Sequence, residues 1–174
     1  MKRVEDYVIT IPDHPIPGIM FRDITSVLSS AEGFQLAIDE MNRKLEGVEF
    51  DALAGIESRG FIFASVLAYL NKKPNILIRK AGKLPRETVS QSYALEYGEA
   101  TIEMHKDDVK PGMKVILVDD LMATGGTFKA AAKLIEAVGA EVAMIMALLE
   151  LKGLNGREVL KDYRVETIVA YEGK

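Results

Sequence analysis

The sequence predicts an α/β domain in which a central, mostly parallel sheet is flanked by helices and carries an inserted antiparallel hairpin. Three observations carry that prediction. Short apolar runs alternate with stretches of helical periodicity from Ala52 onward. Val115-Ile116-Leu117-Val118 is apolar at every position, as a parallel strand is when both faces are covered. Around Gly98-Glu99, the runs Tyr93 to Tyr97 and Thr101 to His105 read as the two arms of a hairpin. At 174 residues, the chain is long enough for one core to fold without staples, so residues 1–174 are read as a single domain.

The elements follow in order. Proline and glycine punctuate Pro12 to Gly18, so the chain reaches Ile19-Met20-Phe21-Arg22-Asp23 through an irregular loop. Ser29 and Glu32 have capping-box spacing. Phe34, Ala37, Ile38, Met41 and Leu45 then recur at helical intervals until Gly47 ends the pattern. The run to Ile56, a helix over Gly60 to Leu70 and Ile76-Leu77-Ile78 make a βαβ unit. A polar segment, Ala81 to Ser92, precedes the hairpin. Lys110-Pro111-Gly112 turns the chain into the Val115 strand, which ends at Asp119-Asp120. A helix over Phe128 to Val138 buries Phe128, Ala131, Ala132, Ile135 and Val138 and stops at Gly139. Strands over Val142 to Leu149 and Val165 to Ala170 complete the sheet.

Composition narrows the chemistry. Hydrophobic residues make up 48% and charged residues 28% of the chain, the balance of a folded soluble domain. A net charge of −4 argues against general nucleic-acid binding. With no cysteine and two histidines, thiolate and histidine-rich metal sites are excluded, which leaves hard, oxygen-bound ions such as Mg²⁺. The amino-terminal residues are charged where a secretory signal needs an apolar run, and no stretch has the length of a membrane span; the expected location is cytoplasmic. His14 and His105 have no motif partner and are expected at surface or edge positions.

The segment VILVDDLMATGGT, Val115 to Thr127, joins an apolar strand to adjacent carboxylates and then to a loop that opens a helix. In open parallel sheets ligands sit beyond the carboxyl ends of the strands, and a helix amino terminus offers free N–H groups to an anion. Gly125 and Gly126 allow close backbone approach to a phosphate, and Thr124 and Thr127 add hydroxyl donors. The loop lacks the Lys-Ser/Thr of a triphosphate-binding loop and suits a phosphate monoester. Asp119 and Asp120 could accept hydrogen bonds from vicinal sugar hydroxyls, so the pattern describes ribose 5-phosphate. The plainer alternative is a solvated strand end followed by a helix cap. Glu57-Ser58-Arg59-Gly60-Phe61 likewise opens a helix at a strand end, and Arg79, Lys80, Lys83 and Arg86 form a basic cluster.

VILVDDLMATGGT resembles the phosphoribosyl-pyrophosphate motif of type I phosphoribosyltransferases. GIMFRD (Gly18 to Asp23), ESRGF (Glu57 to Phe61), IRKAGKLP (Ile78 to Pro85) and SYALEYG (Ser92 to Gly98) narrow the resemblance to adenine phosphoribosyltransferases, in the same order from about Pro12 to Gly156. The resemblance implies the type I phosphoribosyltransferase fold, with residues 1–30 as a base-binding hood and 81–106 as a flexible loop and catalytic hairpin. It implies transfer of phosphoribosyl from phosphoribosyl pyrophosphate to adenine, giving AMP and pyrophosphate. Mg²⁺ would be held mainly by the substrate, and the enzyme would be a homodimer.

The resemblance also implies residue roles. Glu96 would exchange a proton with the base, and Arg59 would act beside it. Asp119, Asp120, Ala123, Thr124, Gly125, Gly126, Thr127, Ser58, Arg59, Arg79, Lys83 and Tyr97 would bind phosphoribosyl pyrophosphate. A cis peptide would lie at Glu57-Ser58. The backbone at Met20 and Arg22 would read adenine, with Phe21 and Leu121 against its faces. Read without the family, Arg59 is a helix-start surface charge, Glu96 an exposed strand glutamate and Phe21 a core residue. Two other functions compete: transfer to an oxopurine, and a regulator that senses phosphoribosyl pyrophosphate through the same fold.

Overall fold

Alternation of buried side chains along single strands sets the architecture. In the strand carrying Val115 to Val118, Val115 and Leu117 pack into one apolar cluster and Ile116 and Val118 into another, and all are fully buried. The strand therefore lies inside a sheet with both faces covered, as its unbroken apolar run predicts. The computed structural model describes residues 1–173.

After a short 3₁₀ turn, β1 (Ile9–Pro12) and β2 (Met20–Asp23) form a two-stranded antiparallel ribbon. α1 (Thr25–Leu28) and α2 (Ala31–Lys44) follow. β3 (Ala52–Ile56), α3 (Arg59–Asn71) and β4 (Asn75–Lys80) form the βαβ unit, and β5 (Thr88–Ala94) with β6 (Glu99–His105) forms the hairpin. β7 (Lys114–Met122), α4 (Gly126–Ala137), β8 (Glu141–Leu151), α5 (Gly156–Val159) and β9 (Val165–Tyr171) complete the chain. The main sheet has the order β5-β6-β4-β3-β7-β8-β9. β4, β3, β7, β8 and β9 pair in parallel, while β6 pairs antiparallel with both β4 and β5.

One core layer packs Phe128, Ala131, Leu134 and Ile135 of α4 on the sheet, and the other packs Met41 of α2 with Phe63 and Leu67 of α3 on the opposite face. α2 buries Ala37, Ile38 and Met41, and Leu45 just beyond it, on its predicted stripe. Gly139, at φ 83, closes α4 in the left-handed conformation that glycine adopts without a Cβ penalty.

Four local expectations change. Ser30, not Ser29, caps α2: its hydroxyl accepts from the Gly33 N–H at 3.1 Å. β7 continues through Asp119-Asp120 to Met122, because β8 keeps pairing with it as far as Glu150. The first hairpin arm is Thr88–Ala94, and Leu95 to Gly98 form the turn, closed by the Leu95 N–H donating to the Gly98 carbonyl at 3.0 Å. Val89 and Tyr93 pack against the core while Ser90 and Ser92 face solvent, so this edge strand alternates in a segment whose hydroxyl content reads as a loop. Finally, His105 is buried and lies on an interior strand. It accepts from the Arg86 N–H at Nε2 (3.2 Å), and its Nδ1 lies 3.3 Å from the Asp108 carboxylate.

Candidate active site

The carboxyl ends of β3 and β7 and the loops that follow them converge on one face. Between them lies a cavity of about 260 Å³ lined by Glu57, Arg59, Lys80, Tyr93, Asp119, Asp120, Leu121 and Thr127, with Ile56 and Ile102 on its apolar side. Next to it, Ala123 to Thr127 enclose a smaller pocket of about 80 Å³ with Asp119, Leu121 and Phe128. Gly126 starts α4, so this loop sits at the positive end of the helix. Gly125 is buried at φ 86, a conformation that a side chain would strain.

The acidic pair divides into two environments. Asp120 accepts a 2.6 Å hydrogen bond from Arg59 Nε, which raises the guanidinium's proton affinity further. Asp119 is buried, and its Oδ1 accepts the Asp120 N–H at 2.8 Å. Burial, and then the hydrogen bond and negative charge of Asp120, push the Asp119 carboxyl well above the usual range. Gly60 makes this closeness possible: a Cβ there would lie 2.8 Å from the Val118 carbonyl and 3.1 Å from Asp119 Oδ1.

The Glu57-Ser58 peptide is cis, as the resemblance implies, and Ser58 is exposed at the start of α3. Glu57 receives the Lys80 N–H at 2.9 Å and pairs with Arg79 at 3.3 Å. Burial pushes the Glu57 carboxyl up, but these hydrogen bonds and the two cations outweigh it and hold it below the usual range. The Arg79 guanidinium is thus committed to Glu57, and it is Lys80 that lines the cavity. Arg86 is bound to His105 and Asp108, and Lys83 is exposed in the segment leading to β5.

Met20, Phe21, Arg22 and Leu121 line an apolar slot with Ile19 and Leu151. Phe21, Arg22 and Leu121 continue into a second hollow that includes Arg59 and Asp120, so the slot opens beside the acidic pair. Phe21 is 40% exposed and is not a core residue. Arg22 is anchored at the ribbon by Thr10 and by the Tyr171 ring, 4.0 Å from its guanidinium carbon. Glu96 and Tyr97 stand apart: both are exposed at the hairpin turn, Tyr97 at 87%, and neither lines these cavities.

Two residues of the cavity, Tyr93 and Glu57, have no role in the sequence reading, and Lys80 is legible only as one of a basic cluster. Tyr93 lines the cavity and shares a 3.2 Å hydrogen bond with Thr127, joining the hairpin to the start of α4. Its place in SYALEYG and its alternation with Val89 were the available signals. Glu57 organises the basic segment, and Lys80 reaches the cavity in place of Arg79; both depend on the β3–β4 register, which pairs Ile56 with Ile78. Among the described residues, no group of three or more His, Cys, Asp or Glu is placed to hold a metal ion.

Known proteins bear the same architecture. The model of the phosphoribosyl transferase domain matches residues 27–173. Adenine phosphoribosyltransferase from Agathobacter rectalis is 61% identical over the full length of both chains. The crystal structure of adenine phosphoribosyltransferase from Thermoanaerobacter pseudethanolicus superposes with a TM-score of 0.92 at 45% identity, covering 97% of this chain and 98% of that one. The Saccharomyces cerevisiae enzyme, solved with an imino-altritol bisphosphate and adenine, gives 0.88 at 34% identity over 95% and 96% of the two chains. With full-length identity this high and a strand, acidic pair and glycine loop in the order the motif demands, the chain belongs to the adenine phosphoribosyltransferase family of type I phosphoribosyltransferases.

Proposed function

We propose that the chain transfers the 5-phosphoribosyl group of phosphoribosyl pyrophosphate to adenine, forming AMP and pyrophosphate in purine salvage. The observation that carries this reading is the alignment, along the carboxyl end of β7, of a phosphate-sized loop pocket, an acidic pair and an apolar slot. The loop Ala123 to Thr127 takes the 5-phosphate on backbone N–H groups, with Thr124 and Thr127 adding hydroxyls. Asp119 and Asp120 accept hydrogen bonds from the ribose hydroxyls, and Arg59 fixes Asp120 in position. The pyrophosphate lies toward Ser58, Lys80 and the Arg79-to-Lys83 stretch. Phe21 and Leu121 sandwich the adenine, while the backbone at Met20 and Arg22 accepts from its 6-amine, in whose place an oxopurine carries a carbonyl.

The reaction joins an adenine ring nitrogen to ribose C1 and breaks the bond from C1 to pyrophosphate, whose oxygen keeps the electron pair. Glu96 takes the proton that the ring nitrogen sheds, and closure of the hairpin brings it and Tyr97 over the site and excludes water. The cavity carries Glu57, Asp119 and Asp120 beside Lys80 and Arg59. Such a mixed lining suits a metal-chelated pyrophosphate better than a bare polyanion. Mg²⁺ held by the substrate's oxygens supplies neutralisation of the leaving group's charge.

The chain acts as one domain, residues 1–30 forming the hood and 81–106 the loop and hairpin. It works in the cytoplasm as a homodimer, for which the exposed apolar side chains Ile62, Tyr69 and Leu70 on α3 and Leu77 on β4 supply surface. Among the described residues, no helix is long and apolar enough to cross a membrane.

Pyrophosphate release from phosphoribosyl pyrophosphate and Mg²⁺, with adenine, guanine, hypoxanthine or xanthine supplied separately, tests the reading. Release with adenine alone, coupled to AMP, is expected; Glu96→Gln is expected to lower kcat on the order of 10²-fold or more. Preference for an oxopurine would overturn the base assignment, and donor binding without turnover on any base would favour a sensor.

A further inference from the structure

The phosphate loop does not support itself. A Cβ on Gly125 would lie 2.9 Å from the Gly156 carbonyl, and one on Gly156 would lie 2.7 Å from the Ala123 carbonyl and 3.4 Å from the Gly125 nitrogen. The loop backbone thus rests directly on the backbone at the start of α5. Four residues cannot form a stable helix alone, and the residue before it, Asn155, is left-handed at φ 56. Something else must hold α5 in place.

Arg157 does this. Its guanidinium forks onto Glu150, Nε to Oε1 at 2.8 Å and Nη2 to Oε2 at 3.0 Å. It also donates to the Val165 carbonyl and to Thr167 Oγ1 on β9, and Thr167 in turn donates to Glu150 Oε2 at 2.7 Å. Glu150 is 3% exposed and pairs in register with Met122, the last residue of β7 before the loop. Burial pushes its carboxyl up, but the bonds from Arg157 and Thr167 outweigh that and keep it ionised. Leu160, fully buried just after α5, pins the other end of the segment.

We infer that Glu150 and Arg157 are positioning residues for the 5-phosphate: their ion pair clamps α5 behind the loop, so that Gly156 holds the Ala123-to-Thr127 backbone in its phosphate-accepting shape. The inference rests on the reading of that loop as the phosphate site. A fork requires a planar guanidinium, so lysine keeps the charge of Arg157 but loses the geometry. A backbone displaced by a fraction of an ångström would weaken every N–H bond to the phosphate at once.

The test is calorimetric titration of ribose 5-phosphate into the protein, its Arg157→Lys and Glu150→Gln variants, and Met41→Ala, a core variant on α2 in the layer across the sheet from α4, with melting temperatures measured alongside. Arg157→Lys and Glu150→Gln are expected to lose roughly tenfold or more in ribose 5-phosphate affinity, and to raise KM for phosphoribosyl pyrophosphate more than KM for adenine. Met41→Ala is expected to lower the melting temperature and leave the affinity near the wild-type value. Wild-type affinity in both clamp variants, or a loss no greater than that in Met41→Ala, would overturn the inference. Thr127→Ala separates the two levels. If wild type binds ribose 5-phosphate and Thr127→Ala weakens it while the clamp variants do not, only the clamp fails. If Thr127→Ala changes nothing, the reading of the loop fails and the inference with it.

Discussion

Two tight, glycine-bearing connections belong to elements that line the same cavity, through Tyr93 and Thr127, and they are built in opposite ways. The proposed phosphate loop, Ala123 to Thr127, is packed from behind by Gly156 and Val159 and opens a helix whose apolar face is buried. The hairpin turn, Leu95 to Gly98, has all four residues exposed, and a Cβ on Gly98 would meet nothing within 4 Å. A single hydrogen bond, Tyr93 to Thr127, joins the arm of one to the helix of the other. Under the proposed function the difference matches two chemical tasks. A phosphate needs several N–H groups aimed before it arrives, which takes a rigid support. A carboxylate that must close over a bound base needs an element that opens at little cost.

The largest expected effect breaks the rigid member. Gly125→Ala places a Cβ at φ 86, a conformation costing about 1–2 kcal/mol, and drives it into the Gly156 carbonyl, adding overpacking of about 1–3 kcal/mol. The melting temperature should fall by several degrees, at roughly 2–4 °C per kcal/mol for a chain of this size, and phosphoribosyl pyrophosphate binding should be lost. Gly126→Ala sharpens the point: its Cβ would come no nearer than 3.7 Å to any neighbour, so thermal unfolding should change little. If thermal scans of the two variants coincide, the loop is not supported as described.

The same contrast explains what could be read from residues alone. The β7 strand and the loop after it are legible because their chemistry is local: consecutive apolar residues, adjacent acids, then glycines and threonines. α4 follows from its helical periodicity, β3 from an unbroken apolar run and α3 from an apolar stretch too long for a strand. The hairpin boundaries are not legible, because an edge strand needs only one apolar face and Thr88 to Ser92 supply a single apolar residue, Val89, among polar ones. Glu96 therefore reads as a strand residue until pairing of Ala94 with Glu99 places it in the turn. Pairings between distant residues are likewise invisible. Arg59 meets Asp120 across 61 positions, and His105 is buried because Arg86 and Asp108 enclose its ring nitrogens.

A smaller effect, of opposite sign, is expected at Asp119. Its carboxyl is held well above the usual range by burial and by Asp120, so folding favours its protonated form. That contribution is fully present below the unfolded carboxylate value of about 4 and is lost as pH rises through the raised native value. At neutral pH burying this group therefore costs stability. Asp119→Asn keeps an oxygen to accept the Asp120 N–H and removes the charge, so it should raise the melting temperature at pH 7 while weakening phosphoribosyl pyrophosphate binding. The gain should shrink as the pH approaches 4. Scans at several pH values check this, and a variant less stable than wild type at pH 7 would mean that Asp119 is held charged by the site.

The smallest effect on stability is expected at the hairpin tip, where the same substitution as at Gly125 meets different surroundings. Gly98 also has positive φ, at 84, so Gly98→Ala carries the same backbone penalty of about 1–2 kcal/mol. With no neighbour to collide with, the turn can relax or open locally, and the penalty need not reach the global transition. The melting temperature should stay within about a degree of wild type, whereas kcat should fall, because a re-formed turn would carry Glu96 and Tyr97 along a different closing path. KM for phosphoribosyl pyrophosphate should change less than kcat, since the phosphate loop is untouched. A fall in melting temperature matching that of Gly125→Ala would show that the tip is packed as firmly as the loop, and the division between a preset phosphate site and a closing carboxylate would not stand.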